Sequence, residues 1–179
     1  MKNIIRILFH FLGIIFLRRK PQDLQYSINL FIVFATFILI ISNQIVYYLE
    51  IDLFSNIFFS ILVSNFSFLL IIYFFLHKEG LSQRFVQTAS NLLGIEILNF
   101  VLFYIIIYVN NNINKYYIHF FISFIISIWF FIIRVHIVKH SFNYNTLKSL
   151  IYCFIFFIMN FFVTYIISFL LSPIFLSIT

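Results

Sequence analysis

Glu96 is an ionisable residue inside a long apolar stretch, residues 85–109. If that stretch is a helix, Glu96 lies about eleven residues, or roughly 16 Å, from its start and therefore near the middle of a bilayer. An ionisable group at that depth is rare and indicates a functional site by default. Three interpretations are open. Glu96 forms an ion pair with Arg134, or polar neighbours satisfy it (Asn99 lies on its side of the helix), or it is part of a proton or ion relay.

Three histidines are the only residues that suggest a metal site. His136 and His140 are four residues apart, a spacing that two ligands on one helix can use, and His119 lies earlier in the same apolar stretch. No third ligand of suitable chemistry accompanies the pair, so we expect no metal and no other cofactor. Phosphate-binding loops, paired-histidine protease motifs and nucleophile elbows are also absent from the sequence, so we expect no enzymatic activity.

The densest charge lies in the segment Arg18–Ser27, which we call the junction. Its three adjacent cations are expected to anchor the chain at a membrane surface, and Pro21 is expected to end the preceding helix. Gln22 and Asp23 are not needed for anchoring and therefore suggest a specific contact. A second polar segment, Arg84–Gly94, is predicted to form a contact surface together with the junction. The candidate contact or lipid-anchoring residues of the two segments are Arg18, Arg19, Lys20, Gln22, Asp23, Arg84 and Gln87.

The composition indicates a polytopic membrane protein. The 179 residues are 64% hydrophobic and 9% charged, with a mean hydropathy of +1.11, whereas a soluble domain carries about 25% charged residues. The formal net charge of +6 fits cations retained on cytoplasmic loops better than nucleic-acid binding. A single cysteine, Cys153, excludes an intrachain disulfide and a cysteine-based metal site.

The first 26 residues are predicted to form an interfacial unit. Lys2, Arg6, His10 and Gly13 share one face of a helix over residues 2–17, and the other faces are apolar. A helix of about 16 residues is about 24 Å long, too short for a hydrocarbon core of about 30 Å. We therefore expect an amphipathic helix in the interface, with its cationic stripe toward lipid headgroups.

Residues 27–179 are predicted to form a bundle of five transmembrane helices. The spans are about residues 27–49, 54–76, 85–109, 116–138 and 146–171, with Pro173 breaking the last one. With the N-terminus in the cytoplasm, ten of the eleven Lys and Arg residues fall on the cytoplasmic side, and only Lys115 falls outside. The predicted fold is therefore an all-α membrane protein, N-terminus in and C-terminus out.

Polar stripes run along four of the predicted spans. Ser64 and Ser67 share a face of the second, Ser123 and Ser127 a face of the fourth, and Asn160 lies on a polar face of the fifth. The third carries one stripe with Gln87, Asn91 and Gly94 and another with Thr88, Glu96 and Asn99. Small and weakly polar residues mediate helix packing in lipid, so these are expected to be packing faces, with a substrate pathway as the alternative.

The order of an amphipathic helix, a basic Pro-containing junction and five spans resembles the Yip1-domain class of small membrane proteins. More narrowly, the run Arg18–Ser27 is similar to a junction of small bacterial inner-membrane proteins that reads roughly Arg-Arg-x-Pro-Gln-Asp-Leu-Pro-x-Ser. Gln25 stands where a proline is usual. A later motif of those proteins is similar to Arg84, Phe85, Gln87, Thr88, Leu92, Leu93 and Gly94. The resemblance implies a fold and a membrane compartment, and no activity.

The sequence thus predicts a non-enzymatic protein of the bacterial inner membrane that acts as a scaffold or partner-binding subunit. Its expected partners are the lipid bilayer and a membrane protein or a second copy of the chain, and no nucleic acid. The alternative is a small transporter or channel component that uses Glu96. A relay would need polar residues on both sides of Glu96, and residues 100–109 offer none.

Overall fold

The computed structural model describes residues 2–48, 54–111 and 116–176, with side chains for residues 5–41, 63–106, 121–163, 165 and 166. These residues form six α-helices and two short 3-10 turns, and no strand. The helices are α1 (Lys2–Ile15), α2 (Ile28–Tyr48), α3 (Phe54–Lys78), α4 (Phe85–Asn111), α5 (Tyr116–Phe142) and α6 (Thr146–Leu176). The 3-10 turns are Pro21–Asp23, inside the junction, and Ser82–Arg84, before α4.

Within the described side chains, three helices are long and apolar enough to cross a membrane, which is the character of a membrane protein. Their qualifying stretches are Ser82–Ile106, Phe121–Phe142 and Thr146–Val163. In the parts of the chain whose side chains are described, three shorter apolar stretches accompany them, namely Ile5–Ile15, Ile28–Ile41 and Val63–Lys78. The all-helical class expected from the sequence is confirmed.

The five long helices are neighbours in the order α2, α4, α5, α6 and α3, and α3 also contacts α2. α1 lies against α4 and α5. The packing faces of α3 and α6 include two of the predicted polar stripes, because the Asn160 amide donates to the Ser64 hydroxyl at 2.8 Å. The stripe of α5 behaves differently. Ser127 is exposed and donates to the carbonyl of Ser123 in its own helix.

Three helix ends share one backbone geometry. α1, α3 and α5 each finish with a residue of left-handed conformation, namely Leu17, Gly80 and Asn143 with φ of 57°, 71° and 57°. At each end an amide bonds the carbonyl five residues back, at 2.7 to 3.0 Å, which satisfies carbonyls that a helix end leaves free. Glycine and asparagine tolerate this conformation, whereas leucine adopts it at a cost of about 1 kcal/mol.

Two expected helix ends were wrong. α1 ends at Ile15, well before Pro21, because the left-handed Leu17 reverses the chain first. α6 was expected to break at Pro173, yet its backbone continues to Leu176. A proline removes one backbone hydrogen bond from a helix, and apolar helices tolerate that loss.

The orientation of α1 also differs from the expectation. His10 is 2% exposed and lies inside the protein, whereas Ile5, Leu8 and Phe9 are 48–61% exposed. The polar stripe therefore does not simply face headgroups, since its His10 turns toward α4. A buried partner for His10 on α4 explains the difference, as described below.

Among the residues whose side chains are described, the buried core lies at the end where α3 and α5 finish and α4 and α6 begin. Phe11 and Ile14 of α1 contribute to it, beside Leu92 and Ile95 of α4 and the fully buried Phe156 of α6. The core also includes Ile71, Ile72, Leu76, Phe130, Ile133, Ile137, Val138, Phe142 and Tyr144. α1 is thus part of the folded core rather than an appendage.

Gly94 permits the close approach of α1 to α4. A Cβ atom at this position would lie 2.3 Å from Cε1 and 2.4 Å from Cζ of Phe11. The Phe11 ring is 6% exposed and packs edge-on against Phe34, with ring centroids 5.4 Å apart. The ring therefore has little room to move.

We expect Gly94→Ala to lower the free energy of unfolding by about 1–3 kcal/mol, the usual cost of overpacking a core. Thermal or denaturant unfolding of the full chain in detergent measures the change. The double variant Gly94→Ala with Phe11→Leu makes room for the methyl group and should be more stable than Gly94→Ala with native Phe11. Equal stability of Gly94→Ala and the native chain would contradict this packing.

Candidate functional site

The junction is shaped by its own short-range contacts. Pro21 occupies the first position of the 3-10 turn, where its missing N–H is no loss. The Asp23 carboxylate accepts a hydrogen bond from the Lys20 amide at 2.9 Å. Backbone bonds from Asp23 to Lys20 and from Leu24 to Pro21 complete the turn. The cations Arg18, Arg19 and Lys20 and the carboxylate of Asp23 belong to exposed residues, whereas Pro21 and Leu24 are buried.

Side chains of α4 hold the junction by its backbone carbonyls. The Asn91 amide donates to the carbonyl of Pro21 at 3.1 Å. The Gln87 amide donates to the carbonyl of Leu24 at 2.9 Å and lies 3.5 Å from that of Gln22. A carbonyl buried without a partner would cost about 1–3 kcal/mol, so these amides stabilise the particular path of the chain.

α5 holds the junction from the other side. The His136 ring nitrogen Nε2 donates to the carbonyl of Arg19 at 2.9 Å. In the opposite direction, the Gln22 side-chain amide donates to the carbonyl of His140 near the end of α5. The junction therefore lies between α4 and α5, accepts hydrogen bonds from both helices and donates one to α5.

His10 of α1 completes this arrangement. The Asn91 amide nitrogen is committed to the carbonyls of Pro21 and Gln87, so its Oδ1 accepts a hydrogen bond from His10 Nε2 at 2.9 Å. This assignment places a proton on Nε2, and burial favours the neutral form of the ring, in which Nδ1 carries no proton. His10 Nδ1 is then a buried acceptor without a partner among the described residues. Burial lowers the pKa of His10 from its ordinary value of 6.5.

A second set of contacts ties the start of α4 to the end of α5. The Arg84 guanidinium donates to the carbonyl of Ser141 at 3.2 Å and to Oδ1 of Asn143 at 2.9 Å. The Thr88 and Ser141 hydroxyls bond each other at 2.9 Å, and both residues are buried. Arg84 thus donates hydrogen bonds to acceptors at the left-handed end of α5 instead of facing open solvent.

The end of α3 is joined to the turn between α5 and α6. The Tyr144 hydroxyl donates to the Glu79 carboxylate at 2.5 Å. Burial, together with the hydrogen bond to the Glu79 carboxylate, raises the pKa of Tyr144 above its ordinary value. The Lys148 ammonium lies 3.7 Å from the centre of the Tyr144 ring, a cation–π contact.

Glu96 and Arg134 form an ion pair between α4 and α5. Both side chains are partly buried, with exposures of 16% for Glu96 and 24% for Arg134. The Arg134 Nε is buried without a partner among the described residues. Asn99, one turn further along α4, is half-buried. Of the three sequence interpretations, the geometry corresponds to the ion pair between helices.

The two predicted polar segments meet in space, although they are 60 to 70 residues apart in sequence. Gln22 and Gln87 lie in the same network, whereas Arg84 contacts the end of α5 and the cations of the junction belong to exposed residues. Sequence reasoning did not assign partners to His10 and Asn91. The available signal was the polar face to which each belongs, with Arg6 and His10 on α1 and Gln87 and Asn91 on α4.

Two of the three histidines considered as metal ligands, His136 and His140, lie close together on α5. The rings of His136 and His140 have centroids 4.6 Å apart, and Nε2 of His136 bonds the carbonyl of Arg19. Within the described side chains, no group of three or more His, Cys, Asp or Glu could hold a metal ion. The side chain of His119 lies outside the described residues.

No protein-family model matches the chain, and neither does any curated protein or any solved structure. The resemblance to the Yip1-domain class therefore stays a prediction from the junction and the Arg84–Gly94 motif.

We expect the stability of the protein to depend on the protonation of His10. Its lowered pKa means that, below about pH 6.5, the unfolded chain binds a proton that the folded protein excludes. The free energy of unfolding should be highest above that pH and decrease as the pH falls toward the lowered value, by at most about 1.4 kcal/mol per pH unit.

The matched variant is His10→Gln, whose amide donates to Asn91 without titrating. Unfolding in detergent between pH 5 and 8 should show a weaker pH dependence in this variant than in the native chain. Identical pH profiles would contradict the buried neutral imidazole.

The ion pair yields a separate prediction. Glu96→Gln leaves the Arg134 guanidinium without a counterion and should lower the free energy of unfolding by about 1–3 kcal/mol, between the values for exposed and buried pairs. Arg134→Gln added to Glu96→Gln should recover part of the loss, whereas Asn99→Ala should cost less. An unaffected Glu96→Gln variant would show that the pair does not contribute to stability.

Proposed function

We propose that the protein is a non-enzymatic, multi-pass protein of a bacterial inner membrane that acts as a scaffold or partner-binding subunit. In this proposal α2 to α6 are five spans. Their lengths of 21, 25, 27, 27 and 31 residues correspond to at least about 30 Å at 1.5 Å per residue. α1 then lies at the interface, with its apolar face toward lipid.

The proposed topology has the N-terminus in the cytoplasm and the C-terminus outside. The junction lies at the end of the bundle where α1, α3 and α5 finish and α4 and α6 begin. The contacts of Gln22 with His140 and of Arg84 with Ser141 lie at this end. The described cations of that end include Arg6, Arg18, Arg19, Lys20, Lys78, Arg84, Lys139 and Lys148. Such a concentration is typical of a cytoplasmic side.

One observation carries the scaffold function, namely that the junction has a fixed backbone and exposed charged side chains. Its carbonyls are bonded by Asn91, Gln87 and His136, so the path of the chain is determined. Its cationic side chains are not needed for this, whereas the Asp23 carboxylate accepts the Lys20 amide, and all of these residues are exposed. A pre-organised charged loop binds a partner at a lower entropic cost than a flexible one.

The alternative, a transporter component that uses Glu96, has less support. Glu96 is neutralised by Arg134, as in a structural pair between helices. Toward the other end of α4, residues 101–105 are apolar or aromatic and 39–50% exposed, which suits contact with lipid. A relay would require polar groups to continue in that direction.

Site-specific photocrosslinking in native membranes tests the scaffold function. A photoreactive residue at Lys20 should give one adduct of defined mass, either with another protein or with a second copy of the chain. The same residue at Phe161, 62% exposed on the apolar surface of α6, should give no protein adduct.

A variant of Asp23 tests the charged side chains of the junction, and a variant of Gln83 is the matched control. Asp23→Ala should reduce the yield of the Lys20 adduct several-fold, whereas Gln83→Ala, an exposed polar change outside the junction, should not. Absence of an adduct at Lys20, combined with ion flux that Glu96→Gln abolishes while the protein stays folded, would favour the transporter instead.

A further inference from the structure

A cavity of about 430 Å³ lies between α1, the junction and the start of α2. This volume is within the range of about 300–1,000 Å³ that small-molecule sites usually have. Arg6 and His10 line it from α1, Arg19 and Asp23 from the junction, and Asn29 from α2. The network that holds the junction therefore also builds one wall of this cavity.

The charge of the cavity favours one anion. Arg6 and Arg19 contribute two positive charges and Asp23 one negative charge, while His10 is neutral as assigned above. Within the described part of the chain, neither guanidinium has an ion-pair partner. The Asp23 carboxylate, in contrast, accepts the Lys20 amide. The lining as a whole carries a net charge of +1, and two guanidinium groups provide donors suited to phosphate oxygens.

Gly13 determines where Arg19 can lie. A Cβ atom at Gly13 would lie 2.6 Å from Cγ and 2.7 Å from Cδ of Arg19, so the stem of Arg19 runs directly over the glycine. The amides of Arg18 and Arg19 both bond the Gly13 carbonyl, at 2.7 and 3.1 Å. The position of this arginine is therefore part of the fold.

The cavity has a polar part and an apolar part. Ser27 and Asn29 add neutral polar groups beside the charges, and Ile7, Leu30 and Val33 form the apolar side. Beyond the cavity, α2 continues with exposed apolar residues such as Ile32 and Phe37, 53% and 51% exposed. A charged end next to an apolar helix surface matches a ligand with a polar head and hydrocarbon chains.

We propose that this cavity binds the phosphate of one anionic glycerophospholipid, with its headgroup against Arg6 and Arg19 and its chains along α2. A soluble phosphate compound would satisfy the arginines and leave the adjacent apolar surface unused, which is why the lipid is favoured. The inference needs the chain to be in a membrane. It does not depend on the protein partner proposed above, because lipid binding is measured on the purified chain, whereas photocrosslinking in native membranes tests the partner.

Lipid binding can be measured on the purified full chain in a neutral detergent. Native mass spectrometry with added phosphatidylglycerol should show one tightly retained lipid per chain, and the lipid should raise the unfolding temperature. Phosphatidylcholine and phosphatidylethanolamine should be retained at least tenfold more weakly. Millimolar inorganic phosphate or glycerol 1-phosphate should not displace the lipid.

Variants distinguish a built site from a generally basic surface. Arg6→Gln and Arg19→Gln should each weaken phosphatidylglycerol binding about fivefold, since one cation near an anionic lipid surface contributes about 1 kcal/mol. The matched control is Arg18→Gln, which removes a charge from the same exposed run but does not line the cavity. It should leave the affinity unchanged.

Asp23→Asn provides a gain of affinity that misfolding cannot imitate. It removes the negative charge and keeps an oxygen for the Lys20 amide, so phosphatidylglycerol should bind several-fold more tightly. Weaker binding in Asp23→Asn, equal losses in Arg18→Gln and Arg19→Gln, or full displacement by inorganic phosphate would each overturn the proposal. Weaker binding in Asp23→Asn would indicate that Asp23 binds an amine of the headgroup. Equal losses in the two arginine variants would indicate non-specific attraction, and displacement by phosphate would indicate a soluble phosphate ligand.

Discussion

The structure depends on hydrogen bonds that side chains of α4 and α5 donate to the backbone carbonyls of the junction. Carbonyl groups that are removed from water need partners, and an irregular segment cannot supply them internally as a helix does. Asn91, Gln87 and His136 provide those partners for Pro21 and Leu24 and for Arg19. The position of the junction, and with it the position of α1 and the start of α2, is a consequence of these few polar residues.

The same constraint links the separate features of this end of the molecule. Asn91 also accepts the hydrogen bond of His10, which places His10 inside the protein and leaves Leu8 and Phe9 of α1 exposed. Phe11 then meets Gly94, where no side chain is in the way. The cavity lies between the elements that the junction connects. A basic segment that looks like a simple topological anchor is thus also the element that organises tertiary packing.

Much of the helical framework could be predicted because apolar runs of about 20 residues leave few alternatives. The predicted segment 54–76 and the observed Phe54–Lys78, for example, differ only at the end. The errors arose where local rules met tertiary structure. Pro21 was expected to end the first helix, but Leu17 adopts a left-handed conformation that sequence alone does not favour. Pro173 was expected to break α6, which continues past it.

The candidate site was less predictable than the fold, for a physical reason. Helical periodicity shows which residues share a face, as it did for Gln87, Asn91 and Gly94, but it does not show what that face meets. Glu96 and Arg134 could be matched because each has an uncommon charge in an apolar helix. The partners of Asn91 are backbone carbonyls, which every residue has, so no residue type in the sequence indicates them.

Hydrogen exchange of the junction amides tests most directly whether side chains of α4 hold this segment in place. In the full chain in detergent, the amides of Arg18, Arg19, Asp23 and Leu24, all hydrogen-bonded, should exchange slowly. Asn91→Leu should make them exchange at least tenfold faster and leave the amides of residues 150–160 in α6 unchanged. Fast exchange of the junction in the native chain, or no difference in Asn91→Leu, would contradict the account.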